Sequence, residues 1–157
     1  MKRLVIDENA VSLSIGFILT FSITVLVLVT ILTSFYSLMG QAEQTIMRDE
    51  FEIHGNDIAV QIAAIDTLVG SAKETGSTLG ILTYELTVPD RIAGEIYSVE
   101  FANQTEEIIF ISEEREETRV KIPYSTEDTT VISSTLHSSA GRHQMVYDPV
   151  KNTIEIS

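Results

Sequence analysis

Hydrophobic positions along this chain follow three successive rules. Over residues 9–42 they are nearly continuous, and 34 residues pass without one charged side chain. Over residues 41–73 they fall at helical spacing: Ile58, Ile62, Ile65 and Val69 stand at i, i+4, i+7 and i+11. Ile46 and Ile53 extend this stripe backwards, with Asp57, Gln61, Asp66 and Lys73 elsewhere around the helix. Gly55, unfavourable in a helix interior by about 1 kcal/mol, marks a bend, and the glycine-bearing stretch 70–80 (Gly70, Gly76, Gly80) ends the helix. From Ile81 onward the period changes to alternation, the mark of half-buried strands.

The alternating segments are 81–88, stopped by Pro89-Asp90; 95–101 after Gly94; 108–112, paired with it across Asn103-Gln104-Thr105; and 118–122, ended by Pro123. Weaker segments follow at 130–133, 144–147 and 153–156, the last two joined by Asp148-Pro149. Six or seven short strands at this spacing predict an antiparallel sheet or small β-sandwich. The fold expected is therefore α+β: a long N-terminal helix, first hydrophobic and then amphipathic, carrying a β-rich head. Its parts are a leader over 1–10, a transmembrane or assembly helix over 11–40, an amphipathic continuation over 41–75 and an extracytoplasmic head over 81–157.

Residues 15–39 make a helix of about 37 Å at 1.5 Å per residue, long enough for a hydrocarbon core of roughly 30 Å. So much apolar surface is covered either by a bilayer or by other copies of the same helix. Gly16, Thr20 and Thr24 recur at i, i+4 and i+8 as a stripe of small residues that lets helices approach closely. The competing reading is that the hydroxyls bond back to their own backbone. Lys2 and Arg3 precede the run and acids follow it, which orients the N-terminus inside the cell and the head outside.

Charge sharpens this division. All but four of the formal charges lie beyond Gln41, where 21 acids face 8 bases, and the net charge is −13. The acidic exterior argues against nucleic acid as a partner, since phosphate contacts need clustered Lys and Arg. The absence of cysteine removes disulfides, thiolate metal sites and a cysteine nucleophile together.

A short charged leader, Ala10, then Val11-Ser12-x-x-Ile15-Gly16-x-Ile18-Leu19 and an aliphatic run containing Ile23-Thr24-Val25 resembles the N-terminus of archaeal type IV pilin-like proteins with class III signal peptides. In the head, Pro89-Asp90-Arg91-Ile92-Ala93-Gly94 before Tyr97, Val120-Lys121-Ile122-Pro123-Tyr124, and Val146-Tyr147-Asp148 resemble an uncharacterised euryarchaeal family of pilin-like membrane proteins. The resemblance implies removal of the leader by a membrane prepilin peptidase between Ala10 and Val11. Two positions depart from the usual pattern: Asn9 stands where such leaders carry a charge, and Ser12-Leu13 replaces Ser-Pro.

No constellation for catalysis, cofactor or metal emerges. His54, His137 and His143 lack a ligand spacing, 138–141 (Ser-Ser-Ala-Gly) is a strand connection rather than a nucleophile elbow, and 113–117 (Glu-Glu-Arg-Glu-Glu) lacks the alternation and glycine of a calcium loop. Asn103-Gln104-Thr105 is the single glycosylation sequon, set in a predicted turn. The expected function is structural: a major or minor pilin-like subunit of a surface filament, partnered by the membrane, by like subunits and by the peptidase. The alternative is an unprocessed single-pass anchor whose head binds an envelope or motility component.

Overall fold

The computed structural model describes residues 8–114 and 118–157, with side chains from Ile15 onward in the first segment. The leader's Lys2, Arg3 and Asp7 and the central Arg115, Glu116 and Glu117 of the charged turn lie outside the described residues. Helix α1 spans Glu8–Glu74. Eight strands follow: β1 (Leu82–Leu86), β2 (Tyr97–Ala102), β3 (Glu107–Ser112), β4 (Arg119–Pro123), β5 (Thr130–Val131), β6 (Ser134–His137), β7 (His143–Asp148) and β8 (Thr153–Ile156). The chain divides into two compact units, Met1–Ala42 and Glu43–Ser157. The architecture is α+β, as the change of hydrophobic period predicts.

In the second unit α1 buries one face against two four-stranded sheets, ordered β1-β7-β8-β5 and β4-β3-β2-β6. The face is Met47, Phe51, Ile58, Ile62, Ile65 and Val69, each at most 4% exposed. The phase of this stripe corrects the expectation for Ile46 and Ile53, which are 53% and 55% exposed. Counted back from Ile58 at 100° per residue they lie about 120–140° around the helix, whereas Phe51 and Met47 keep its phase. Gly55 lies inside α1, which runs through it without interruption. A side chain there would meet Ile122 (Cγ1 at 2.7 Å) and Phe110 (Cε2 at 3.2 Å), so glycine lets β3 and β4 seat directly on the helix. Gly70 likewise lies inside the helix, with the Asp128 carboxylate against its bare Cα.

The helix stops where Gly76 takes a φ of +67°. Ser77 N–H donates to Ala72 C=O (2.9 Å) and Gly76 N–H to Lys73 C=O (3.2 Å), the paired bonds of a Schellman cap.

The β2–β3 and β7–β8 hairpins form across the predicted turns, with Ala102 opposite Glu107 and Asp148 opposite Thr153. The segment 130–133 is shorter than expected. The β-prone run from Thr130 to His137 divides at residues 132–133, sending β5 to one sheet and β6 to the other. β5 pairs with β8 in parallel, so the first sheet is not wholly antiparallel. Ile81 is 71% exposed and lies outside β1.

The head motifs serve the fold. Ile92 is buried, and Ala93 (φ +51°) and Gly94 (φ +83°) make a tight turn closed by the Ile92–Glu95 bridge. The Tyr97 hydroxyl donates to the Pro89 carbonyl at 2.6 Å, and burial, with the nearby Asp90 charge, pushes its pKa far above the usual range, so it stays a neutral donor. Phe51, Tyr97 and Phe110 form the centre of the core, with ring centroids 5.1–5.8 Å apart.

Candidate membrane and assembly segment

The first unit contributes the feature that most needs a partner. Every large apolar side chain from Ile15 to Met39 is exposed, from 41% at Val25 to 73% at Phe17, and these residues occupy all sides of the helix. Its apolar 18-residue window has a mean hydropathy of 2.7 and buries nothing within the chain. One helix is thus long and apolar enough to cross a membrane. Phe17 and Phe21 stack near one end of this stretch (centroids 6.4 Å), and Phe35 and Tyr36 meet edge to face near the other (6.2 Å). From Phe17 to Tyr36 the rise is about 28 Å, close to the hydrocarbon thickness of roughly 30 Å.

The hydroxyls of this segment are satisfied locally. Thr20 donates to Gly16 C=O (2.9 Å), Ser22 to Ile18 (2.8 Å), Thr24 to Thr20 (2.8 Å), Thr30 to Leu26 (2.9 Å) and Thr33 to Val29 (2.9 Å). Each bond follows the i→i−4 pattern that hides a hydroxyl in an apolar medium. A Cβ on Gly16 would meet nothing within 4 Å. The stripe Gly16, Thr20, Thr24 therefore offers close approach rather than unpaired donors. Ala10 and Val11 lie in the first turns of α1, ahead of the described side chains.

In the head, sequence reasoning missed the most connected polar group. Asp66, read as one of the residues off the apolar stripe, accepts four hydrogen bonds from the 127–129 turn: Glu127 N–H (2.9 Å), Asp128 N–H (3.0 Å), Thr129 N–H (2.7 Å) and Thr129 Oγ1 (2.8 Å). Burial pushes its pKa up, but the bonds from Glu127, the Thr129 hydroxyl, Asp128 and Thr129 N–H outweigh it and hold the carboxyl below its usual value. Lys73 Nζ donates to the Asp128 carbonyl (2.7 Å) and carboxylate (3.2 Å), and Asn152 Nδ2 to the same carbonyl (2.6 Å). This cluster fastens a loop to α1. A carboxylate fully engaged in this way has a structural role.

The histidines are dispersed. His54 lies beside Glu50 (3.6 Å), His137 Nδ1 meets Glu113 (2.9 Å), and buried His143 bonds to the His137 carbonyl (3.2 Å). Among the described residues no group of three His, Cys, Asp or Glu side chains is placed to hold a metal ion. Asn103 falls in the exposed β2–β3 turn, as predicted.

A helix with one membrane-length apolar segment, followed by a β-rich head, defines the class of protein. Within that class the chain belongs to the family of unknown function DUF7266, whose model matches residues 6–157. No curated protein and no solved structure matches the chain.

Proposed function

We propose that this protein is a pilin-like structural subunit, major or minor, held in the membrane with its N-terminus inside before assembly into a surface filament through residues 11–40. The observation that carries this reading is the charge-free stretch whose apolar side chains face outward on every side. Among the described residues of its own unit nothing covers it, and lipid or neighbouring helices are the cover such a surface takes. The resemblance of the leader to class III signal peptides supports removal of residues 1–10 by a prepilin peptidase, leaving Val11 as the mature N-terminus. The acidic head then keeps the assembled surface soluble.

Two measurements test the reading. Mass spectrometry of the native protein is expected to find Val11 as the first residue, and replacing Ala10 by a bulky residue should leave an unprocessed, membrane-retained form. A native N-terminus at Met1 or Lys2 rules processing out. Shearing of intact cells is expected to release the protein with surface fibres.

Exposed Ile46, Ile53 and Val60 stand seven residues apart on the face of α1 turned from the head's core. A seven-residue step suits a seam with another helix, drifting by only about 20° per repeat. Changing Ile53 or Val60 to Glu should reduce filament yield while altering head stability by no more than about 0.5 kcal/mol. Fibre yield and thermal unfolding, read on the same preparations, check this prediction.

A second reading, a single-pass anchor that stays in the membrane, draws on the hydroxyls of Thr20 and Thr24, which need no partner helix. An anchor remains in detergent-extracted membranes and is missing from sheared fibres.

A further inference from the structure

We propose that Asn103 carries an N-linked glycan and that the cleft beside it seats the first sugar; this rests on the export of the head proposed above. The sequon Asn103-Gln104-Thr105 occupies the four-residue turn between β2 and β3, where residues 103–106 are all exposed. Asn103 N–H donates to Ser133 Oγ (3.2 Å), which fixes the turn's backbone, while no described residue takes up the side-chain amide. The acceptor nitrogen therefore stands at a surface that a large group can reach.

What surrounds it suits a sugar. The turn borders an open cleft walled by Glu100, Gln104, Thr105, Ser133, Ser134 and Thr135, a set of hydroxyls, one amide and one carboxylate. Gln104, Ser133 and Thr135 in this wall are exposed, and their amide and hydroxyls can exchange hydrogen bonds with a ring bearing several hydroxyls beside Asn103. Thr105 remains at the surface, where its hydroxyl bonds to Glu107.

The transfer balances as a substitution at the anomeric carbon. A membrane-bound transferase supplies an oligosaccharide as its polyprenyl phosphate or diphosphate ester. The C1–O bond to phosphate breaks, C1 bonds to Asn103 Nδ2, the amide loses one proton, and the polyprenyl phosphate or diphosphate leaves. No oxidant or reductant is involved.

The test is mass spectrometry of the full chain from its native cells, alongside N103Q, T105A and T105S, with protease treatment of intact cells to locate the head. The expected result is a mass increment of whole sugar residues on the peptide bearing Asn103, lost completely in N103Q and T105A and kept in T105S. Near-UV circular dichroism matching the unsubstituted protein shows that each variant is folded. Amides of residues 133–136 should exchange hydrogen several-fold more slowly in the glycosylated protein than in N103Q, and equal exchange overturns the cleft as the sugar's seat. An unmodified Asn103 on a head that protease reaches from outside overturns the proposed site while leaving the filament reading intact. A head protected in intact cells overturns the filament reading itself, and this site with it.

Discussion

Replacing Phe51 by alanine is expected to lower the unfolding free energy of the head by about 3–5 kcal/mol, the range for large aromatic side chains removed from a packed core. Phe51 is 0% exposed and lies 5.2 Å from the Tyr97 ring and 5.1 Å from that of Phe110. It also joins the helix to the β4-β3-β2-β6 sheet, so its loss opens a void between two layers rather than within one. Neighbours cannot readily collapse into that void. Gly55, one turn further on, already holds helix and sheet at close approach through Ile122 and Phe110. For a domain of this size the change corresponds to a fall in Tm of roughly 10–25 °C. Thermal unfolding of the full chain in detergent, followed by near-UV circular dichroism, measures it through the tyrosine signal of the core. Phe17→Ala, made in the exposed apolar segment, serves as the control and should leave the head's transition in place. A Phe51→Ala transition within a few degrees of the parent would show that this cluster does not hold the head together.

Removing the Asp66 carboxylate should have the next largest effect. Asp66→Ala leaves the N–H groups of Glu127, Asp128 and Thr129 without their acceptor, together with the Thr129 hydroxyl. Partly buried groups left unpaired cost about 1–3 kcal/mol each where water cannot replace the partner. The 127–129 turn has some access to water, so a total of roughly 2–4 kcal/mol is expected. The loop leads directly into β5, whose parallel pairing with β8 closes the first sheet. Local opening should therefore appear first at 127–131, as faster amide exchange there than in β2 or β3.

The same carboxylate predicts a pH dependence of definite sign. The folded state holds the pKa of Asp66 below its unfolded value, so the unfolded chain binds the proton more readily. Its contribution is complete above the unfolded pKa of about 3.9 and is lost as pH falls through the lower folded value. Acid unfolding of the unsubstituted chain should thus include a component below about pH 4 that Asp66→Asn lacks. Identical acid profiles for the two proteins would remove Asp66 as the source of that component.

These positions show how unevenly the molecule is written along its chain. The charge-free run, the amphipathic helix and the two hairpin turns were legible because each depends on neighbours a few residues away. The turn holding Asn103 was placed for the same reason, whereas the strand read as 81–88 ends at Leu86, two residues short of the expected stop before Pro89. Asp66 left no local signal, because its partners lie 61 to 63 residues downstream. An aspartate beside an apolar stripe looks the same whether it faces water or caps a distant turn. The β5–β6 division had a local mark in Ser133-Ser134, which interrupts the β-prone residues of 130–137, but which sheet each half joins is decided only by the two sheets at hand.

By itself the amino-acid sequence determined which segments are helical, which alternate, and that residues 15–39 must find a partner outside their own chain. Those properties follow from hydrophobic spacing and from the absence of charge, both of which are local. Tertiary structure decided how far the core face extends and what covers it. Ile58, Ile62, Ile65 and Val69 mark that face by their spacing, and Met47 and Phe51 continue it against the sheets, while Ile46 and Ile53, about 120–140° out of phase, face outward. It likewise supplied the reason for Gly55, a point of close contact with Ile122 and Phe110, because the reason for a missing side chain lies in what packs against it.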